Sequence, residues 1–81
     1  MMMNRIPSQS EVARLRALYP AGTRLELIAM DDPYMHPTPG DQGTVQGVDD
    51  MGQIMMQWDN GSSLSLVPGY DKFKVAKGAK R

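Results

Sequence analysis

The side chains best suited to chemistry lie in one stretch of the sequence, MDDPYMHPTPGDQG, at positions 30–43. It contains the neighbouring acids Asp31 and Asp32 and the only histidine of the chain, His36. Carboxylates and an imidazole can bind a metal ion or transfer protons. Neighbouring side chains of an extended chain point to opposite sides, however, so the two carboxylates do not converge on one ion, and one imidazole adds few ligands. The stretch therefore predicts no metal site.

Catalytic groups are scarce in the rest of the chain as well. With one histidine, no cysteine and no glycine-rich phosphate loop, the sequence offers no set of nucleophile, base and orienting group. Asp49 and Asp50 form a second acidic pair, but they are typical of turn residues that bond their own backbone, whereas a glycosidase needs carboxylates opposed across a cleft. We expect a protein that is not an enzyme and that binds no cofactor.

Length and composition set the class of the molecule. A chain of 81 residues forms one domain with a small core, and the lack of cysteine excludes disulfides and thiolate metal sites. The N-terminal residues contain no apolar run of signal-peptide length, and no window approaches the ~18 apolar residues of a membrane span. We expect a soluble, cytoplasmic protein that does not enter a membrane.

Charge is balanced in sum but segregated along the chain. Nine basic and nine acidic residues give a formal net charge of zero. Residues 25–71 contain eight of the acids and no lysine or arginine, whereas residues 72–81 contain five basic residues and no acid. Four arginines within residues 1–24 face a single acid. The sequence therefore predicts an anionic central domain between basic ends.

A capping box predicts where a helix begins. Ser8-Gln9-Ser10-Glu11 has the serine and glutamate spacing of this motif, and Pro20 ends the helical pattern, so we predict a helix over 8–19. A helix this short is not stable alone in water, so its apolar face must pack against the rest of the chain. That face comprises Val12, Leu15, Leu18 and Tyr19.

Beyond Pro20 the apolar residues alternate with period two, and turn residues interrupt them at short intervals, which is typical of a small β-barrel. Asn60-Gly61 is a strong hairpin signal that should pair the third and fourth strands directly. One long loop after the first strand, followed by short turns, predicts the connectivity of an SH3-like barrel. Five strands are predicted, over 23–30, 43–48, 53–58, 63–67 and 72–76.

The predicted fold is mainly β, a five-stranded SH3-like (KOW-like) small barrel with one N-terminal α-helix. Residues 1–7 are predicted to be a disordered N-terminus, 8–19 the helix, 20–76 the barrel and 77–81 a basic tail. Trp58 is in phase with the core positions, so it is not expected to grip peptides as the tryptophan of SH3 domains does. Met55 should point outward. The inward positions are Leu25, Leu27, Val45, Ile54, Met56, Trp58, Leu64, Leu66, Phe73 and Val75.

Six short motifs carry a resemblance to a known family: YPAGTR, MDDPY, PGDQGTV, VDDMGQI, WDNGSSL and VPGYDKF, in this order between residues 19 and 75. This segment resembles a small bacterial and bacteriophage family catalogued as a domain of unknown function (DUF4314). The resemblance implies a compact SH3-like or KOW-like β-barrel and a frequent origin in phage or prophage genomes, but no biochemical activity. His36 and the Met55-Met56 pair depart from the pattern of the family and receive no role from it.

The leading hypothesis is a small β-barrel that acts by binding another protein, and that also associates with itself. Prolines stiffen the long loop, and loops on a rigid scaffold commonly carry binding residues. If the protein is phage-encoded, as the resemblance suggests, its partner is a host protein such as a defence or nucleic-acid-processing factor. The predicted contacts are Tyr34, Met35 and His36, with an acidic rim of Asp31, Asp32, Asp49 and Asp50.

Two other functions remain open on the sequence. A nucleic-acid-binding accessory module is the first, although acids outnumber bases in the barrel and would repel phosphates. A small ligand held between the protomers of a homo-oligomer is the second. The residues that would bind nucleic acid are Arg14, Arg16, Lys72, Lys74, Lys77, Lys80 and Arg81.

Overall fold

The described part of the chain folds into one helix and four strands. The computed structural model describes residues 8–30 and 37–76. The four strands pair antiparallel in one open sheet of order β3-β2-β1-β4, so β3 and β4 form its two edges. The prediction of a mainly β fold with one N-terminal helix is confirmed. The elements are α1 (Gln9–Leu18), β1 (Arg24–Ala29), β2 (Gln42–Val48), β3 (Ile54–Trp58) and β4 (Lys72–Val75).

Three segments that the sequence singled out lie outside the described residues. They are the N-terminus at 1–7, residues 31–36 of the long loop and the tail at 77–81. In the part of the chain that the structure describes, no helix has the length and apolarity that a membrane crossing requires.

Helix α1 begins and ends where its sequence signals predict. The Ser8 Oγ accepts a hydrogen bond from the Glu11 N–H at 3.1 Å, which satisfies one of the free donors of the first turn. At the other end, the Tyr19 N–H donates to the Leu15 carbonyl at 2.8 Å, directly before Pro20. The cap residues therefore set both boundaries of the helix.

The helix packs against the sheet through fewer side chains than the sequence predicts. Val12 is buried in the core, and Leu15 and Tyr19 are partly buried against it. Leu18, predicted on the same face, is 52% exposed. The reason is that Tyr19 leaves helical geometry, with φ at −129°, and packs edge-on against Phe73 at a ring distance of 5.5 Å. Tyr19 thus takes the contact that Leu18 would make.

Alternation along the first three strands correctly predicts six core residues but misses Val48, which the register shift between Val45 and Gly47 turns inward. The fully buried side chains each gain roughly 1.5–3 kcal/mol relative to exposure, so they dominate the stability of so small a domain. Val75 is 56% exposed, contrary to prediction, because it lies on edge strand β4, which has a neighbour on one side only. The core consists of Val12, Leu25, Leu27, Val45, Val48, Ile54, Met56, Trp58 and Leu66.

The segment 63–67 does not form the fifth strand that its alternation predicts. It runs past β3, but its pairing is one isolated antiparallel bridge, in which Ile54 and Leu66 exchange two backbone hydrogen bonds of 2.8 Å. The hairpin turn before it does close: the Trp58 N–H donates to the Ser62 carbonyl at 2.8 Å. The turn prediction is therefore confirmed, and the strand predicted after it is wrong.

Side chains interrupt this pairing at Leu64. Bonded pairs alternate along an antiparallel ladder, so a continuous strand would bond Leu64 to Met56. Instead the Leu64 carbonyl accepts the indole N–H of Trp58 at 2.8 Å, and the Leu64 N–H donates to Ser62 Oγ at 3.2 Å. Both backbone groups of Leu64 are bonded to side chains, which breaks the ladder at its midpoint. The predicted five-stranded barrel is thus replaced by an open sheet of four strands within the described residues.

The contact between β2 and β3 requires a glycine at position 43. Gly43 lies opposite Trp58 in the strand register. A Cβ at this position would lie 2.9 Å from the Gln57 carbonyl oxygen and from the Trp58 Cα and Cε3 atoms. Because two of these atoms belong to the backbone, a side chain could be accommodated only by moving the strands apart.

We therefore expect Gly43→Ala to destabilise the domain by about 3 kcal/mol, at the upper end of the usual cost of overpacking a core. Chemical denaturation followed by tryptophan fluorescence measures this loss. Gly22→Ala is the matched control, because a Cβ there meets nothing within 4 Å and only the positive φ of 97° is strained. A loss for Gly43→Ala no larger than that for Gly22→Ala would contradict the steric explanation.

Candidate functional site

A cleft of about 480 Å³ lies between helix α1 and two turns of the β domain. The helix contributes Glu11, Arg14 and Leu15, whose spacing places them on one face. The turn between β2 and β3 contributes Met51 and Gly52. The turn before β4, at 67–70, forms the remaining wall.

The turn before β4 is held by its own hydrogen bonds. The Tyr70 and Asp71 N–H groups donate to the Val67 carbonyl at 3.0 and 2.9 Å. The buried Asp71 carboxylate in return accepts the Val67 N–H at 2.8 Å. Gly69 adopts the positive φ of 95° that the bend requires. This rigid turn presents Tyr70 with 65% of its surface exposed.

The turn between β2 and β3 is fixed in a similar way. Asp49 Oδ1 accepts the N–H groups of Met51 and Gln53 at 2.9 and 2.8 Å, so its carboxylate bonds its own turn as predicted. Arg16 ties the helix to this turn, because its Nε donates to the Val48 carbonyl at 3.1 Å and its Nη2 contacts Asp50 at 3.0 Å. Polar contacts therefore position both turns that line the cleft.

The chemical character of the cleft suits binding. Its lining is about half polar and half apolar, and Met51 is 54% exposed. Glu11 and Arg14 place one charge of each sign on its helical wall. Among the described residues, no three His, Cys, Asp or Glu side chains cluster to hold a metal ion. The cleft thus combines apolar side chains on its two turns with charged groups on the helix.

Five of the seven predicted partner-binding residues belong to the long loop. Asp31, Asp32, Tyr34, Met35 and His36 fall outside the described residues. Asp49 and Asp50 lie in the turn next to Met51, but neither lines the cleft. Asp49 is engaged with its own backbone, and Asp50 is paired with Arg16.

Among the described residues, the predicted nucleic-acid-binding side chains do not share one surface. Arg14 lines the cleft, while Arg16 forms an ion pair. Lys72 and Lys74 alternate with Phe73, which packs against the core and against the helix residue Tyr19. The two lysines therefore lie on the opposite face of the sheet from the helix. Lys77, Lys80 and Arg81 fall outside the described residues.

The reasoning from sequence missed the apolar residues of the cleft. Met51, Pro68 and Tyr70 all lie in segments that were correctly identified as turns. One sequence feature could have indicated this site, namely the aromatic Tyr70 in a Pro-Gly turn. A tight turn at the surface cannot bury a large side chain that points away from the sheet.

A second ion pair lies on the outer face of the sheet. Arg24 Nη1 donates to Asp59 Oδ1 at 2.8 Å and Nη2 donates to Oδ2 at 2.5 Å. These hydrogen bonds are the main reason that the pKa of Asp59 lies below its usual range; desolvation opposes the shift, and the charge attraction adds to it. The same hydrogen bonds raise the pKa of Arg24. The pair holds the start of the hairpin turn to β1.

The comparisons with known proteins identify a family and nothing further. A family model described as Domain of unknown function (DUF4314) matches residues 8–76. No curated protein and no solved structure is significantly similar to the chain. The matched region contains the helix, the four strands and both turns that form the cleft.

The Arg24–Asp59 pair predicts a dependence of stability on pH. Because the folded pKa of Asp59 is lowered, its stabilising effect is fully present above the usual aspartate range, near 4, and is lost as the pH falls through the folded value. We expect the unfolding midpoints of wild type and Asp59→Asn to differ at neutral pH and to converge in acid.

Thermal unfolding between neutral pH and about pH 2, at low and high salt, measures this effect. Arg24→Gln is the matched variant: combined with Asp59→Asn it should add little, because both substitutions remove the same interaction. A constant difference between wild type and Asp59→Asn down to the lowest pH would show that the ion pair is not its source.

Proposed function

The chain belongs to the family Domain of unknown function (DUF4314), and since that description assigns no activity, we propose from its own surface that it is a non-enzymatic module that binds another protein. The cleft beside α1 receives an apolar side chain of the partner. The observation that carries this proposal is the exposure of Tyr70 and Met51 on two hydrogen-bonded turns.

The side chains of the cleft are of the types that bind proteins. Tyrosine and methionine are enriched in protein interfaces, where tyrosine buries a large area and loses little conformational freedom. Tyr70 is 65% exposed, although burial would stabilise so small a domain. A turn whose backbone is fixed by hydrogen bonds reduces the entropy lost on binding. The cleft is thus preorganised for a partner.

A protein fits the cleft better than a small molecule does. The volume of about 480 Å³ falls within the range of small-molecule pockets. Such pockets, however, enclose most of the ligand and direct a few polar groups onto it, whereas Tyr70 and Met51 are both more than half exposed. A segment of another protein can cover these side chains while it fills the cleft.

A protein also fits the charge distribution better than nucleic acid does. The described residues contain five bases and seven acids, and two of the bases are paired with aspartates. The remaining arginine, Arg14, shares the helical wall of the cleft with Glu11, while Lys72 and Lys74 lie across the sheet. A phosphate backbone would meet no continuous basic surface in this part of the chain.

We include in this proposal an SH3-like relationship, a phage or prophage origin and a host protein as the partner. An SH3-like relationship is supported by the segment at 62–66, which lies beside β3 and bonds it at both ends. The motifs shared with the family support a phage or prophage origin and a host protein as the partner. Because β1 ends at Ala29, opposite Lys72, the long loop leaves the sheet beside the turn of Tyr70. A partner in the cleft would therefore be near the start of that loop.

Substitution of Tyr70 tests the proposal. A photo-crosslinking amino acid at position 70 identifies the partner in a lysate of the bacterial host, and calorimetry with the purified partner then measures affinity. We expect Tyr70→Ala and Met51→Ala each to weaken binding at least about tenfold, since removal of an interface anchor costs about 2 kcal/mol. Their stability should change little, because both side chains are exposed.

Ile28→Ala is the matched control, because Ile28 is 47% exposed and does not line the cleft. It should bind as wild type does. An equal loss of affinity in Ile28→Ala, or unchanged affinity in both cleft variants, would disprove binding through the cleft.

Gel shifts separate protein binding from nucleic-acid binding. We expect no shift of single-stranded or duplex DNA or RNA at physiological salt. A salt-dependent shift that is lost in the double variant Lys72→Gln and Lys74→Gln would instead support the nucleic-acid function. The same double variant should bind the protein partner of the cleft with unchanged affinity.

A further inference from the structure

The two edges of the sheet are not equivalent. The edge at β3 is covered by the segment at 62–66, which bonds β3 through the Trp58 N–H and through the Ile54–Leu66 bridge. The edge at β4 pairs with β1 on its inner side, and no further strand lies on its outer side within the described residues. An uncovered edge strand offers unpaired N–H and C=O groups to another chain.

The register identifies which backbone groups of β4 face outward. The Ala76 N–H donates to the Arg24 carbonyl at 3.0 Å, so this residue faces β1. Bonded and non-bonded residues alternate along an antiparallel pair, so Lys74 also faces β1, opposite Glu26. The N–H and C=O groups of Phe73 and Val75 therefore point away from the sheet. They form two adjacent bonding positions for an added strand.

The side chains on β4 differ between the two faces. Lys72 and Lys74 are exposed on the outer face of the sheet. On the inner face, Val75 is 56% exposed and lies next to the partly buried Phe73. An added strand would thus find two lysines along one face, with Glu26 on β1 beyond Lys74, and apolar surface along the other.

A second copy of this strand is a poor occupant of the edge. An antiparallel pair centred on Phe73 would place Lys72 opposite Lys74 of the other copy, and a pair centred on Lys74 would place two lysines directly opposite each other. Like charges in directly opposed positions are destabilising, and lysine on edge strands commonly prevents pairing between identical sheets. In these two registers the lysines oppose self-pairing, so the edge favours a strand of different sequence.

We propose that the β4 edge binds an extended acidic segment of another protein as an added strand. Its backbone bonds Phe73 and Val75, alternate carboxylates contact Lys72 and Lys74, and the intervening apolar side chains cover Val75. Backbone bonding supplies affinity in this mode of recognition, and the alternating side chains supply specificity. The site is separate from the cleft, so it does not depend on the proposed function of the cleft.

Binding of defined peptides tests this site. The probe is a short fluorescein-labelled peptide that alternates glutamate with valine, and fluorescence anisotropy measures its affinity. We expect it to bind at least about tenfold more tightly than a peptide that alternates lysine with valine. The double variant Lys72→Glu and Lys74→Glu should reverse this order. Equal binding of both peptides to wild type would overturn the proposal.

A second comparison separates an added strand from simple charge attraction. The same glutamate peptide, N-methylated at alternate residues, keeps its charge but loses the N–H groups of one edge. We expect at least about tenfold weaker binding, and a similar loss for Val75→Pro, which removes an outward N–H and leaves the bonds to β1 in place. Val75→Thr retains the N–H and should bind as wild type does. Unchanged binding of the N-methylated peptide would reduce the site to an ionic contact and overturn the proposal.

Hydrogen exchange shows whether the edge is open before the peptide binds. The Phe73 and Val75 amides should exchange rapidly in the free protein and become protected in the complex. Protection in the free protein would mean that the chain itself covers this edge, and would overturn the proposal. Tyr70→Ala should bind the peptide as wild type does, so the outcomes for cleft and edge are distinguishable.

Discussion

The burial of Trp58 is the constraint on which the rest of the structure depends. At Trp58, both the ring and the backbone of β3 approach β2 so closely that only glycine fits at position 43. Its indole N–H needs a partner inside the protein, because an unsatisfied buried donor is costly. The Leu64 carbonyl supplies that partner, which draws the segment at 62–66 against β3 without completing a strand. One buried side chain therefore holds the segment that covers the edge at β3, while no further strand covers β4 within the described residues.

The parts of the fold that could be predicted from sequence are those set by neighbouring residues. Helix caps, the Asn60-Gly61 turn and the alternation in the first three strands depend on local spacing. The failures involve contacts that local spacing does not contain. The sequence at 63–67 does alternate as a strand would. The side chains of Trp58 and Ser62 nevertheless bond the backbone of Leu64, and these contacts prevent the strand pairing that the local pattern predicts. Leu18 was likewise displaced from the sheet by its neighbour Tyr19.

The candidate site was harder to predict because its residues carry no chemical signature. The acids, the histidine and the long loop favoured 31–36, whereas the cleft is lined by two short turns and one face of helix α1. Charge was misleading for a related reason. Its segregation along the chain suggests an anionic domain between basic ends, yet folding pairs Arg16 with Asp50 and Arg24 with Asp59, residues far apart in sequence. A linear map of charge thus overstates the acidity of the folded surface.

The turns that carry Tyr70 and Met51 are held by the carboxylates of Asp71 and Asp49, which bond the backbone of their own turns. These carboxylates bond the main chain of each turn, so their hydrogen bonds do not depend on which side chains occupy the two exposed positions. Either side chain can be exchanged in the course of evolution without disturbing the interior. The domain can consequently keep one architecture while the residues at positions 51 and 70 change.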